Sequence, residues 1–104
     1  MKLKEKLSDE MNTVKVQGKN NKHKVQLYTL STCAWCKLTK QFLKDNDIAY
    51  EYTDTDLSNE EDYEKIKENV QRLGGEPLYP IIIIDEKILI NGFHKDKLME
   101  ILEH

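Results

Sequence analysis

The sequence predicts an α/β fold, a mixed β-sheet with helices packed on both faces. Three observations predict it. From Val25 to Leu73 strand-like and helix-like runs alternate, an order that joins strands through a right-handed helical crossover and makes them parallel. Ile81-Ile82-Ile83-Ile84 is continuously apolar and β-branched, the pattern of a strand covered on both faces. Asp85-Glu86-Lys87 then leaves space for only a tight turn before Ile88-Leu89-Ile90, so those two strands run antiparallel.

Leu3, Leu7 and Met11, four residues apart, predict a short amphipathic helix that cannot hold alone. Thr13 to Gln17 alternates like a half-buried strand, and Gly18-Lys19-Asn20-Asn21-Lys22 breaks it before the strand at Lys24 to Leu30. A helix follows over residues 34 to 46, with Leu38, Phe42 and Leu43 inward, Lys37, Lys40, Gln41 and Lys44 around them, and Asp45-Asn46-Asp47 as its stop. Ile48 to Asp54 is the next strand. Ser58-Asn59-Glu60-Glu61 has the form of a capping box and opens a helix whose inner face is Tyr63, Ile66, Val70 and Leu73, ended by Gly74. Pro80 can stand only at the first residue of the isoleucine strand or at an edge. A helix from His94 to Leu102, with Leu98, Ile101 and Leu102 inward, closes the domain.

At 104 residues the chain has room for one domain with a modest core. The net charge of -3, spread over interleaved lysines and acids, provides neither a basic surface for nucleic acid nor a polybasic membrane anchor. No apolar run approaches the roughly 20 residues that span a bilayer, and the polar start lacks a signal-peptide core. A soluble, cytoplasmic monomer is expected. Two cysteines are too few for the stapled frameworks of small secreted domains, so in a reducing cytosol the pair reads as catalytic or metal-binding.

Those cysteines form Cys33-Ala34-Trp35-Cys36, between a strand and the start of a helix. A three-residue helical step rises about 4.5 Å and turns about 300°, placing the Cα atoms roughly 5 Å apart. A disulfide accepts about 4.4 to 6.8 Å, so the pair can open and close as dithiol and disulfide with little backbone movement. The unpaired amides of a helix start favour a thiolate at Cys33, whereas Cys36, one turn inside, is shielded. Cys33 is then the attacking sulfur and Cys36 the resolving one. Trp35, exposed between them, offers a flat apolar contact to a substrate. Lys37 and Lys40 read as solvated lysines of an exposed helix face. The rival chemistry is a zinc or iron–sulfur module using the same cysteines, but His23, His94 and His104 are the only other soft ligands and read as surface residues, so no metal site is assigned. A third alternative is an interaction domain that keeps the fold without the reaction.

Tyr28-Thr29, the C-x-x-C stretch, Tyr79-Pro80 and Ile90-Asn91-Gly92-Phe93 together resemble the glutaredoxins of the thioredoxin superfamily. The resemblance implies a three-layer thioredoxin-like fold over residues 25 to 104, with sheet order 2-1-3-4 counted from the Val25 strand. Residues 1 to 24 form an extension, whose strand is expected to join the edge beside Ile48 to Asp54. It also implies a cis bond before Pro80 and a substrate groove shaped by Trp35, Tyr79, Pro80, Gly92 and Phe93, the substrate backbone docking against Tyr79. The activity implied is dithiol reduction of protein disulfides, with no cofactor beyond the redox-active Cys33–Cys36 pair. Where glutathione-using members carry a lysine, a proline and a polar pair with aspartate, this chain has Leu30, Ala34 and Phe93-His94, which argues against glutathione as reductant. Asn91 to Asp96 resembles the S-G-F-R-P-D stretch of small glutaredoxin-like proteins that feed ribonucleotide reductase. That likeness suggests ribonucleotide reductase as a client and a thioredoxin-reductase-like protein, or a low-molecular-weight thiol, as reductant.

Overall fold

Alternate side chains of a strand point to opposite faces of its sheet, so four consecutive isoleucines require cover on both. The computed structural model, which describes residues 12–103, provides it. Within that span the order is β1 (Val14–Val16), β2 (Val25–Thr29), α1 (Ala34–Asp45), β3 (Tyr50–Asp54), a 3₁₀ turn (Thr55–Leu57), α2 (Glu60–Arg72), β4 (Ile81–Ile84), β5 (Ile88–Asn91) and α3 (Lys95–Leu102). The predicted helix around Leu3, Leu7 and Met11 lies outside the described residues, as does His104.

The strands form one mixed sheet in the order β1-β3-β2-β4-β5. Strands β2 and β3 are parallel, and the other pairs are antiparallel. Without β1 this is the predicted 2-1-3-4 order, and β1 adds to the edge of β3 as expected, with Val14 opposite Tyr52 and Val16 opposite Tyr50. On one face Ile82 and Ile84 pack with Val25, Leu27, Leu43 of α1 and Leu98 and Leu102 of α3; on the other, Ile81 and Ile83 meet Ile66 and Val70 of α2. All four isoleucines of β4 are 0–1% exposed, each burial contributing about 1.5–3 kcal/mol. Among the described residues no helix is long and apolar enough to cross a membrane.

Local expectations are corrected at four places: α1, α2, β3 and His23. The buried residues of α1 are Cys36, Thr39 and Leu43, while Leu38 is half exposed. A threonine can take that place because its hydroxyl donates to the Trp35 carbonyl one turn back, 2.8 Å away, leaving a methyl for the core. On α2, Ile66 and Val70 are buried as expected, but Tyr63 keeps 37% of its surface exposed and Leu73 is only partly buried. The N-cap of α2 is Asn59, whose side chain accepts from the Asp62 amide at 2.8 Å; Ser58 is used one step earlier, where it closes the 3₁₀ turn onto Asp54 and Thr55.

The third correction concerns β3, which begins at Tyr50 because Ile48 and Ala49 are engaged by the extension. Asn20 bonds to Asp47 and Ala49 in an isolated bridge. Gly18 lies so close that a Cβ there would meet the Ala49 nitrogen and the Ile48 carbonyl carbon at 2.6 Å. The fourth is His23, which is not a free surface residue: Nδ1 lies 2.7 Å from the Asp85 carboxylate, and Nε2 is buried without a partner among the described residues. Asp85 also accepts from the Lys24 amide at 2.9 Å, and these bonds hold its carboxyl below the usual carboxylate range. They anchor a β4–β5 turn in which Asp85 and Glu86 both have positive φ, 55° and 61°, without any glycine.

Candidate active site

Cys33 is the N-cap of α1, with extended backbone (φ −86°, ψ 120°), and its sulfur accepts from the Cys36 amide at 3.2 Å. The helix start thus directs an unpaired N–H at the outer sulfur. Cys36 sits in the first helical turn and is fully buried, whereas Cys33 is partly exposed; both thiols are free. Burial first, then the hydrogen bond with Cys33, pushes the Cys36 thiol up to about 12. The two sulfurs are therefore unequal in the sense the spacing predicts, one accessible and one sequestered.

All five residues expected to shape a groove line one cavity of about 210 Å³: Trp35, Tyr79, Pro80, Gly92 and Phe93, joined by His94. Trp35 is 61% exposed, as a contact surface requires. The Tyr79–Pro80 bond is cis, and the Pro80 carbonyl accepts from the Gly92 amide at 2.8 Å. Gly92 has φ of 89°, a conformation in which a side chain is strained. No hydrogen bond among the described residues engages the Tyr79 amide or carbonyl, so an extended peptide could add there as a strand. A second, mostly apolar groove of about 230 Å³ lies behind Tyr79, between α2 and residues 75–77; no cysteine lines it.

Several residues that the sequence reading did not assign hold this site in place. The Asn91 side chain grips the segment before the cis bond, accepting from the Glu76 amide at 3.1 Å and donating to the Glu76 and Leu78 carbonyls at 2.7 and 3.0 Å. Buried Thr55 places its hydroxyl 3.2 Å from both the Thr29 carbonyl and the Tyr79 phenol. Asp56 takes the Ser31 amide and hydroxyl, fixing the loop that leads into Cys33, and these bonds hold its carboxyl below the usual range. An asparagine after a strand and an aspartate after another were the only sequence signals, too common to single out. Lys37 is exposed as expected, but Lys40 is not a solvated lysine: its Nζ lies 3.5 Å from Asp54 Oδ1 and 3.7 Å from the centre of the Tyr52 ring. Among the described residues no group of three or more His, Cys, Asp or Glu side chains could hold a metal ion.

The sequence profile described as Glutaredoxin matches residues 25–89. The chain belongs to the glutaredoxin family. It is 30% identical over 79 residues, 97% of the relative's length, to the uncharacterized glutaredoxin-like 8.6 kDa protein in the rubredoxin operon of Clostridium pasteurianum. Among solved structures it resembles methanoredoxin of Methanosarcina acetivorans (TM-score 0.82, 32% identity, 90% of this chain and 99% of that one). It is equally similar to the glutaredoxin of Methanosarcina mazei Go1 (TM-score 0.81, 32% identity, 89% of each chain). Coverage of that extent takes in part of the segment before Val25, which the glutaredoxin profile leaves out. A redox role for the cysteine pair is what membership of the glutaredoxin family and the site's geometry jointly suggest.

Proposed function

We propose that this chain is a dithiol thiol–disulfide oxidoreductase that reduces disulfides in proteins. A substrate strand lies along Tyr79, its apolar neighbours against Trp35 and Phe93, and presents its disulfide to Cys33. The Cys33 thiolate attacks one substrate sulfur, forming a mixed disulfide while the other sulfur leaves with the bonding electron pair and takes a proton. Cys36 then attacks Cys33, releasing the second substrate sulfur as a thiol and leaving the Cys33–Cys36 disulfide. A separate reductant, either a thioredoxin-reductase-like protein or two molecules of a low-molecular-weight thiol that end joined as their own disulfide, returns the two electrons.

The observation that carries this reading is the unequal pair: an accessible N-cap sulfur accepting the amide of a buried cysteine one turn on. Insulin reduction driven by dithiothreitol tests it. Cys33→Ser should abolish the catalysed rate, and Cys36→Ser should accumulate covalent adducts at Cys33 whose identification names the clients. A Cys33→Ser protein as active as the parent would end the proposal.

A further inference from the structure

In the resolving step just proposed, Cys36 must release a proton although it is buried where the charged sulfur is disfavoured. A group that makes this possible has to lie near the first turn of α1. Lys40 stands four residues on, a spacing that puts two side chains on one helix face with Cβ atoms about 5–6 Å apart. It is only 21% exposed, and its ammonium is held from β3 by Asp54 and by the face of Tyr52. Asp54, 18% exposed, is pinned in turn by the hydroxyl of fully buried Thr29 at 2.6 Å. A half-buried ion pair of this kind is weak support for stability, since desolvation offsets most of its attraction. The place of Lys40 one helical turn beyond Cys36 calls for another account.

We propose that Lys40, fixed by Asp54 and Tyr52, is a positioning residue that acts through Cys36, its charge stabilising the Cys36 thiolate as it attacks the mixed disulfide. The inference rests on the dithiol reading. In the step concerned, the bond between Cys33 and the substrate sulfur breaks as the Cys33–Cys36 bond forms. The electron pair leaves on the substrate sulfur, and the proton given up by Cys36 ends there. Lys40 keeps its own protons throughout. Of the groups that act on the Cys36 sulfur, the Leu30 backbone and, less strongly, the Lys40 charge oppose the effects of burial and of Cys33, and Lys40 is the side chain among them. The other titratable groups around Lys40 and Cys36 are Asp54, Tyr52 and Tyr50 from β3, Asp56 from the 3₁₀ turn, Cys33 from the helix start and the exposed Lys37 and Lys44 one turn before and after Lys40 on α1; the Tyr50 phenol reaches only the Lys40 carbonyl, at 3.5 Å. His94, across the groove, is directed to the Asn91 carbonyl at 3.2 Å.

Stopped-flow reaction of the fully reduced protein with one equivalent of 5,5′-dithiobis(2-nitrobenzoate), from pH 6 to pH 9.5, separates the steps. Attack by Cys33 releases one thionitrobenzoate, and attack by Cys36 on the resulting mixed disulfide releases the second. Lys40→Met and Lys40→Gln should slow the second phase about tenfold or more relative to the first, so that its rise of log rate with pH is displaced upward by about one pH unit or more across the range. Lys40→Arg should restore the rate and the position of that rise. A parental second phase in both neutral variants, or an arginine variant as slow as the methionine one, would overturn the role of Lys40 while leaving the dithiol reading intact. A wild-type protein that releases one equivalent and stays capped at Cys33 would overturn both.

Discussion

Asn91 is the residue whose replacement best tests how the groove is held. Its carboxamide makes three hydrogen bonds to the backbone of Glu76 and Leu78, and so copies a strand along the segment that carries Tyr79 and Pro80. Each bond contributes about 0.5–1.5 kcal/mol net, and because these backbone groups are exposed enough for water to replace the side chain, Asn91→Ala should cost about 2 kcal/mol, near the lower bound. Asn91→Asp should cost about 1–3 kcal/mol more, since a second carboxylate oxygen would face the carbonyls that the Nδ2 group now satisfies at 2.7 and 3.0 Å. Urea unfolding of the reduced proteins measures both values. Insulin reduction should show a raised KM for Asn91→Ala with the Cys33 reaction toward a small disulfide unchanged. An alanine variant within about 0.5 kcal/mol of the parent with the same KM, or an aspartate variant as stable as the alanine one, would refute this reasoning.

Gly18→Ala should destabilise the protein by about 2–3 kcal/mol, read as a lowered melting temperature, because the new methyl would overlap the backbone at Ile48 and Ala49. The raised Cys36 thiol makes the reduced form sensitive to alkali. Above its ordinary value of 9.0 the unfolded chain releases this proton while the folded chain retains it to about 12, so stability present below pH 9 is lost as pH rises through that window, by up to ~1.4 kcal/mol per unit. Urea midpoints taken from pH 8 to pH 10.5 should fall more steeply for the reduced parent than for Cys36→Ala; parallel slopes would show that the buried thiol is not the source.

Much of this protein was legible in its residues because the signals are local. Four β-branched side chains in a row, a two-cysteine step at a helix start, a glycine ending a helix and a proline opening a strand each fix backbone conformation over a few positions. Together they set the order of elements, the mixed sheet and the place of the candidate cysteine pair at the start of α1. What could not be read there depends on which surfaces meet. Leu38 faces outward and Thr39 inward because the face of α1 that meets the core is the one carrying Cys36, Thr39 and Leu43, and an intrahelical hydrogen bond lets the threonine serve there.

The same dependence governs the polar side chains. Lys40 and Asp54 lie fourteen positions apart and meet only because the chain returns from α1 into β3, where Tyr52 and Asp54 face the lysine. Asn91 reaches Glu76 and Leu78 only because β5 pairs with β4 and returns beside the Tyr79 segment. Local sequence determined the secondary structure and placed a sulfur at a helix terminus, since backbone sterics and hydrophobic periodicity act over one or two turns. Packing decided that the Lys40 ammonium is held by Asp54 and Tyr52 one turn beyond Cys36, and what steadies the groove, since those contacts join segments brought together only when the sheet and its helices close.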